Sequence, residues 1–125
     1  MTDIAEKLKS LTVLYVEDED ITRESLGRFM RRRVKKLYVA ENGKAGFEIF
    51  LKENPDIVVT DIEMPLMNGH EMIEKIREHS SNVPIIVTTA YNDEQHTSDA
   101  VNAVFIKPII QDDLMRAISS CFLNV

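Results

Sequence analysis

Five short apolar runs, rich in β-branched residues, alternate with longer amphipathic stretches, and this alternation constrains the fold more than anything else in the chain. The runs are "TVLYV" (12–16), "KLYVA" (36–40), "DIVVT" (56–60), "PIIVT" (84–88) and "AVFI" (103–106), each bounded by polar or turn residues. They predict strands, and the first, third and fourth are apolar enough to be covered on both faces. Between and after them, apolar residues recur at a helical period: Leu26, Phe29 and Met30; Gly46, Ile49 and Phe50; Met72, Ile73 and Ile76; Leu114, Ile118 and Cys121. Asn68 and Gly69 fall where the third of these helices needs its cap, and Glu71 with Lys75 adds an i,i+4 pair on it. Segment 92–102 is the weakest helix, polar apart from Ala100 and Val101. A helix anchored by so little apolar area is marginal and able to shift.

Strands alternating with helices predict an α/β fold: a doubly wound, five-stranded parallel sheet of order 2-1-3-4-5 with helices on both faces, flavodoxin-like in topology. At 125 residues the chain is long enough for one core and one domain, residues 1–125. The opening stretch, residues 1–10, reads as an extra helical segment, with Ile4, Leu8 and Leu11 on one face. With 44% hydrophobic and 29% charged residues the composition is that of a globular domain. No apolar run approaches the roughly 20 residues that span a bilayer, and no signal segment opens the chain, so a cytoplasmic setting without membrane contact is expected. A single cysteine, Cys121, agrees with a reducing compartment and reads as a buried structural thiol. The net charge of −6 argues against direct nucleic-acid binding. The one basic cluster, "RRRVKK" at 31–36, reads as a solvated helix end.

In open α/β sheets ligands bind outside the carboxyl ends of the strands, near the crevice where the strand order reverses. Strand 1 ends in Glu17-Asp18, strand 3 in Asp61, strand 4 in Thr88-Thr89 and strand 5 in Lys107-Pro108. One rim therefore collects three carboxylates, a hydroxyl and an ammonium. Carboxylates so placed repel one another and require a cation. All-oxygen ligands suit a hard divalent ion, with Mg²⁺ the natural choice because it commonly brings a phosphate with it. Lys107 and the Thr89 hydroxyl can meet phosphoryl oxygens, and a central Asp61 carboxylate can act as nucleophile toward phosphorus.

These segments resemble the receiver domain of bacterial two-component response regulators, from about Leu11 to Phe122. "LYVEDED" resembles the family's acidic pair, "VVTDIEMPLMNG" its phosphoacceptor segment, "IIVTTA" its switch hydroxyl and "FIKP" its lysine–proline pair. The resemblance implies that Asp61 accepts a phosphoryl group from a phosphohistidine on a histidine kinase or phosphotransfer protein. It implies Mg²⁺ on Asp18, Asp61 and the Glu63 backbone carbonyl, with Glu17 acting mainly through water, and Lys107 paired with the phosphoryl group across a cis Lys-Pro bond. Thr89 would move inward and bias the face formed by the helix after strand 4, strand 5 and the last helix, toward a downstream protein, an attached output domain or a phosphorylation-dependent homodimer. On this reading the domain is a phosphoacceptor and not a turnover enzyme.

Three departures from the family's commonest pattern involve four positions. Glu17 replaces an aspartate. Val104 replaces an aromatic residue, while the neighbouring Phe105 points to the other face of its strand. Glu63 and Tyr91, each two residues past a site residue, stand where the family varies to set phosphoryl lifetime. A rival reading takes Asp18-x-Asp20-x-Thr22 as the nucleophile motif of haloacid-dehalogenase-like phosphatases, although the later motifs then come in the wrong order. A flavodoxin-like cofactor binder needs a phosphate-cradling loop where "EDED" stands. A third rival is a docking module that works without phosphorylation.

Overall fold

The computed structural model describes residues 3–90 and 101–122. In chain order they form α1 (Ile4–Leu8), β1 (Thr12–Val16), α2 (Asp20–Arg31), β2 (Lys36–Ala40), α3 (Gly43–Glu53), β3 (Ile57–Asp61), α4 (Gly69–His79), β4 (Ile85–Thr89), β5 (Ala103–Ile106) and α5 (Gln111–Ser120). The five strands are parallel and lie in the order β2-β1-β3-β4-β5, as the alternation predicts. The reversal falls between β1 and β3, which are neighbours.

Each sheet face carries its own core. Val13, Tyr15, Val59 and Ile86 meet Leu26 and Met30 of α2 and Leu114 and Ile118 of α5 on one face. Leu14, Val16, Val58 and Val87 meet Phe50 of α3 and Met72, Ile73 and Ile76 of α4 on the other. Residues alternate between the two clusters along each central strand because successive side chains of a strand point oppositely. β1, β3 and β4 are therefore buried almost throughout, while the edge strands β2 and β5 are only partly covered. Phe105 packs with the first cluster and Val104 with the second, as expected for neighbours in β5.

Local chemistry sets the boundaries. Asn42 caps α3 by accepting from the Ala45 N–H (2.8 Å), and Asn54 ends it in a left-handed conformation at φ 49°. Asn68 and Glu71 form a reciprocal capping box on α4: Asn68 Oδ1 accepts from Glu71 N, and the Glu71 carboxylate accepts from Asn68 N. β3 and β4 each run one residue further than hydrophobicity suggests, carrying Asp61 and Thr89 into the ladder. The helical opening is shorter than residues 1–10, and its partner is internal: Leu8 and Leu11 are buried in the first cluster, and Lys7 lies over the Phe122 ring. Leu11 lies beyond the helix, and Ile4 stays exposed. Cys121 is half-buried rather than buried; it follows the last turn of α5, and its thiol donates to the Ala117 carbonyl. The basic cluster does follow a helix end, with Arg28 and Arg31 in the last turn of α2 and Arg33 stacked on Phe29. Most of segment 92–102, including Ala100, lies outside the described residues; Val101 is half-buried against the second cluster.

Candidate functional site

The carboxyl ends of β1 and β3 bring Glu17, Asp18 and Asp61 together. One carboxylate oxygen from each lies within 4.8 Å of the others. Glu17 and Asp61 are buried, with 0% and 4% of their surface exposed, while Asp18 faces solvent. Lys107 closes the group from the far side. Its Nζ donates to Glu17 Oε1 at 3.0 Å and to Asp61 Oδ2 at 3.1 Å. The bond between Lys107 and Pro108 is cis.

Backbone donors hold both buried acids. Ile62 N donates to Asp61 Oδ1 at 2.8 Å, and Glu19 N to Glu17 Oε2 at 3.2 Å. Arg23, one turn into α2, donates to the Glu17 carbonyl at 2.9 Å and pairs with Asp20 at 2.6 Å. Glu17 is a fully buried partner of Lys107. Its longer arm lets it span to the ammonium.

Burial pushes the Glu17 carboxyl from its ordinary value up to about 7, and the charge of Asp61 pushes the same way. The hydrogen bond from Lys107 pulls only partly back. For Lys107, burial alone would lower the ammonium, but the hydrogen bond to Glu17 and the Asp61 charge outweigh it and the net shift is upward. In the unfolded chain Glu17 returns to its ordinary carboxylate value of 4.5. Between there and about pH 7 the folded protein binds this proton and the unfolded chain does not, so metal-free stability falls as pH rises through that window. Urea denaturation at intervals from pH 4.5 to 8 without divalent ions should show the decline, and Glu17→Gln should flatten it. A slope unchanged by Glu17→Gln would contradict the assignment.

The donor set fits a hard divalent cation: three carboxylate oxygens are close together, two of the acids are buried, and one lysine ammonium is bonded to both buried carboxylates. Thr89 ends β4 on the same rim, fully buried, its Cα paired with Ile106. Glu63 lies exposed in the loop after β3, and Val104 sits in β5 against the second core cluster. Tyr91 lies outside the described residues. Leu66, in the same loop as Glu63, is exposed and takes a left-handed backbone at φ 68°.

Arg23 carries no signal in the sequence, where Thr89 is the hydroxyl singled out and Thr88 is not. Thr88, not Thr89, is in register with Asp61 and shares its face of the sheet. The only signal for it was a second hydroxyl in an apolar run. The geometry also counts against the phosphatase motif. Asp20 pairs with Arg23 instead of joining Asp18, and the Thr22 hydroxyl donates to Glu19.

Known proteins share this chain's sequence pattern and fold. The cyclic di-GMP phosphodiesterase of Thermotoga maritima is 37% identical over 109 residues, covering 85% of this chain but only 29% of that protein's length. The chemotaxis protein CheY of Halobacterium salinarum is 32% identical over 111 residues, covering 86% of this chain and 92% of that one. The crystal structure of the response regulator TrrA from Thermotoga maritima, in complex with Mg²⁺-BeF, superposes with a TM-score of 0.79 at 30% identity, covering 90% of this chain and 99% of that one. Residues 13–119 match the model of the response regulator receiver domain, and with that match, this sheet order and this acidic rim, the chain belongs to the receiver domains of two-component response regulators.

Proposed function

We propose that residues 1–125 form a single receiver domain that takes a phosphoryl group on Asp61 from a phosphohistidine, carried by a histidine kinase or a histidine phosphotransfer protein. The observation that carries this reading is the position of Asp61: buried at the switch point, within reach of two further carboxylates and bonded to Lys107. In the transfer an Asp61 carboxylate oxygen forms a bond to phosphorus as the phosphorus–nitrogen bond breaks. The imidazole leaves with the bonding electron pair and takes up a proton from solvent. Attack of water on the acyl phosphate returns the Asp61 carboxylate and inorganic phosphate and resets the domain, whose role is that of a phosphoacceptor rather than a turnover enzyme.

Mg²⁺, held by Asp18, Asp61 and the Glu63 backbone carbonyl with Glu17 acting mainly through water, would supply the positive charge that lets phosphoryl oxygens approach three acids. Lys107 neutralises charge on the Asp61 side, and Thr89 offers a hydroxyl at the end of β4. Glu63 and Tyr91 would set how long the phosphoryl group survives. An apolar surface beside the site supports a protein donor: Ile21, Leu66 and Ile110 are all exposed, and an open groove of about 550 Å³ runs between Ile21 and Leu26 of α2 and Pro108 and Ile109. Output passes to an attached domain, a downstream protein or a second copy of the chain. The family and the single cysteine support a cytoplasmic setting.

Incubation with acetyl phosphate and Mg²⁺, followed by mass mapping, tests the reading. One phosphoryl group should appear on Asp61, and it should vanish with a chelator or in Asp61→Asn. Modification of Asp18, or modification that persists in Asp61→Asn, would establish the phosphatase-like alternative instead.

A further inference from the structure

Lys107 and a divalent cation compete for the same two carboxylates, those of Glu17 and Asp61. The ammonium sits on Glu17 Oε1 and Asp61 Oδ2, and both residues belong to the three-carboxylate cluster. A divalent charge among these oxygens repels an ammonium in direct contact with them. Lys107 must then withdraw, and its route is set by the sheet. β5 lies two strands from β3, roughly 9–10 Å away, with β4 between them. The lysine stem therefore crosses β4 to reach Asp61, and retreat brings the ammonium back over β4.

Thr88 belongs to the strand that the lysine stem crosses. It is the β4 residue in register with both Asp61 and Phe105, and strand alternation puts all three on the face toward α2 and α5. Only 1% of its surface is exposed, and its hydroxyl has no hydrogen-bond partner among the described residues. A buried hydroxyl without a partner is costly, and valine of the same shape would avoid that cost. The hydroxyl of Tyr15 is also buried and without a partner among the described residues. It belongs to β1, on the far side of β3 from β5, so a retreating Lys107 moves away from it. Thr89 follows Thr88 but points to the opposite face.

We infer that Thr88 is a positioning residue: its hydroxyl accepts a hydrogen bond from the Lys107 ammonium when metal displaces that ammonium from Glu17, and so holds the lysine beside Asp61. Lys107 has three N–H donors, and two are bonded to the carboxylates. Giving up the Glu17 contact frees a donor, and Thr88 supplies a buried acceptor for it. The inference rests on the receiver reading for the metal site and goes beyond it in assigning a role to a residue outside the acidic cluster.

The test is isothermal titration with Mg²⁺ alone, at fixed pH and ionic strength, together with thermal melting of the metal-free proteins. Thr88→Val should bind Mg²⁺ about fivefold more weakly, the worth of one hydrogen bond, while its metal-free melting temperature holds or rises. Thr88→Ser, which keeps the hydroxyl, should bind as the parent does. In a Lys107→Met background, Thr88→Val should have no further effect on Mg²⁺ affinity, because the cation it serves is gone. Parent-like affinity in Thr88→Val, or the same loss in the Lys107→Met background, overturns the inference and leaves the receiver reading standing. A parent chain that takes up no Mg²⁺ at millimolar concentration overturns both.

Discussion

Lys107→Met should cost the metal-free protein about 3 kcal/mol at pH 8, the scale found when one partner of a buried ion pair is removed. The loss comes from what the lysine leaves behind. Glu17 and Asp61 have side chains 1% and 6% exposed, and Lys107 is the cation bonded to both. Methionine fills the volume of the stem but neutralises neither acid. Two features separate this from a simple packing defect. At pH 5.5 the loss should shrink, because Glu17, already raised to about 7, takes a proton and removes one of the two charges. Millimolar Mg²⁺ should restore most of the stability, since a divalent ion replaces the missing charge and binds only the folded site. It should also bind more tightly to Lys107→Met than to the parent, with no ammonium to displace. Urea denaturation at the two pH values, with and without Mg²⁺, measures all of this. A loss independent of both pH and Mg²⁺ would mean that Lys107 acts through packing alone.

Much of this site was readable from the chain because each strand ends where its polarity changes. Glu17, Asp61, Thr89 and Lys107 each follow an apolar run, and the sheet order then forces the four ends onto one rim. The limits have equally specific causes. β3 and β4 extend one residue past their apolar runs because Asp61 pairs with Thr88 and Thr89 with Ile106. A ladder can carry a polar residue that hydrophobicity excludes. The contact between Lys107 and Glu17 joins residues 90 positions apart, and nothing local to either announces it. The sequence sets Glu17 among neighbouring acids without ranking them; three-dimensional packing makes it the most buried of the three at the site. Thr88 and Thr89 are indistinguishable by composition. Which hydroxyl shares a face with Asp61 follows from the register of β3 and β4, which a single strand does not encode. Likewise, the apolar residues of the opening segment were plain, but their docking on the first core cluster depends on where α5 lies.

Gly69→Ala should destabilise the protein by about 3 kcal/mol, whereas Gly27→Ala should stabilise it by roughly 0.5–1 kcal/mol. Both glycines are helical, so intrinsic propensity favours alanine at each; what differs is the space. A Cβ on Gly27 meets only Leu37 Cδ2 and Val39 Cγ1, each at 3.8 Å, which is ordinary contact. A Cβ on Gly69 would stand 2.3 Å from the Asp61 carbonyl oxygen and 2.9 Å from Ile62 Cα. Those atoms are backbone and cannot rotate away as a side chain would. The close approach exists because Gly69 N donates to the Ile62 carbonyl at 2.8 Å, tying the first turn of α4 to the end of β3. Alanine must therefore push α4 and the residue bearing Asp61 apart. The same displacement reaches the site, since Ile62 N is the donor that holds Asp61 Oδ1. Gly69→Ala should accordingly weaken Mg²⁺ binding as well as stability, while Gly27→Ala leaves Mg²⁺ binding unchanged. Urea denaturation and Mg²⁺ titration of the two variants side by side provide the measurement. Equal stability in both would show that the junction of β3 and α4 yields more readily than a backbone contact at 2.3 Å allows.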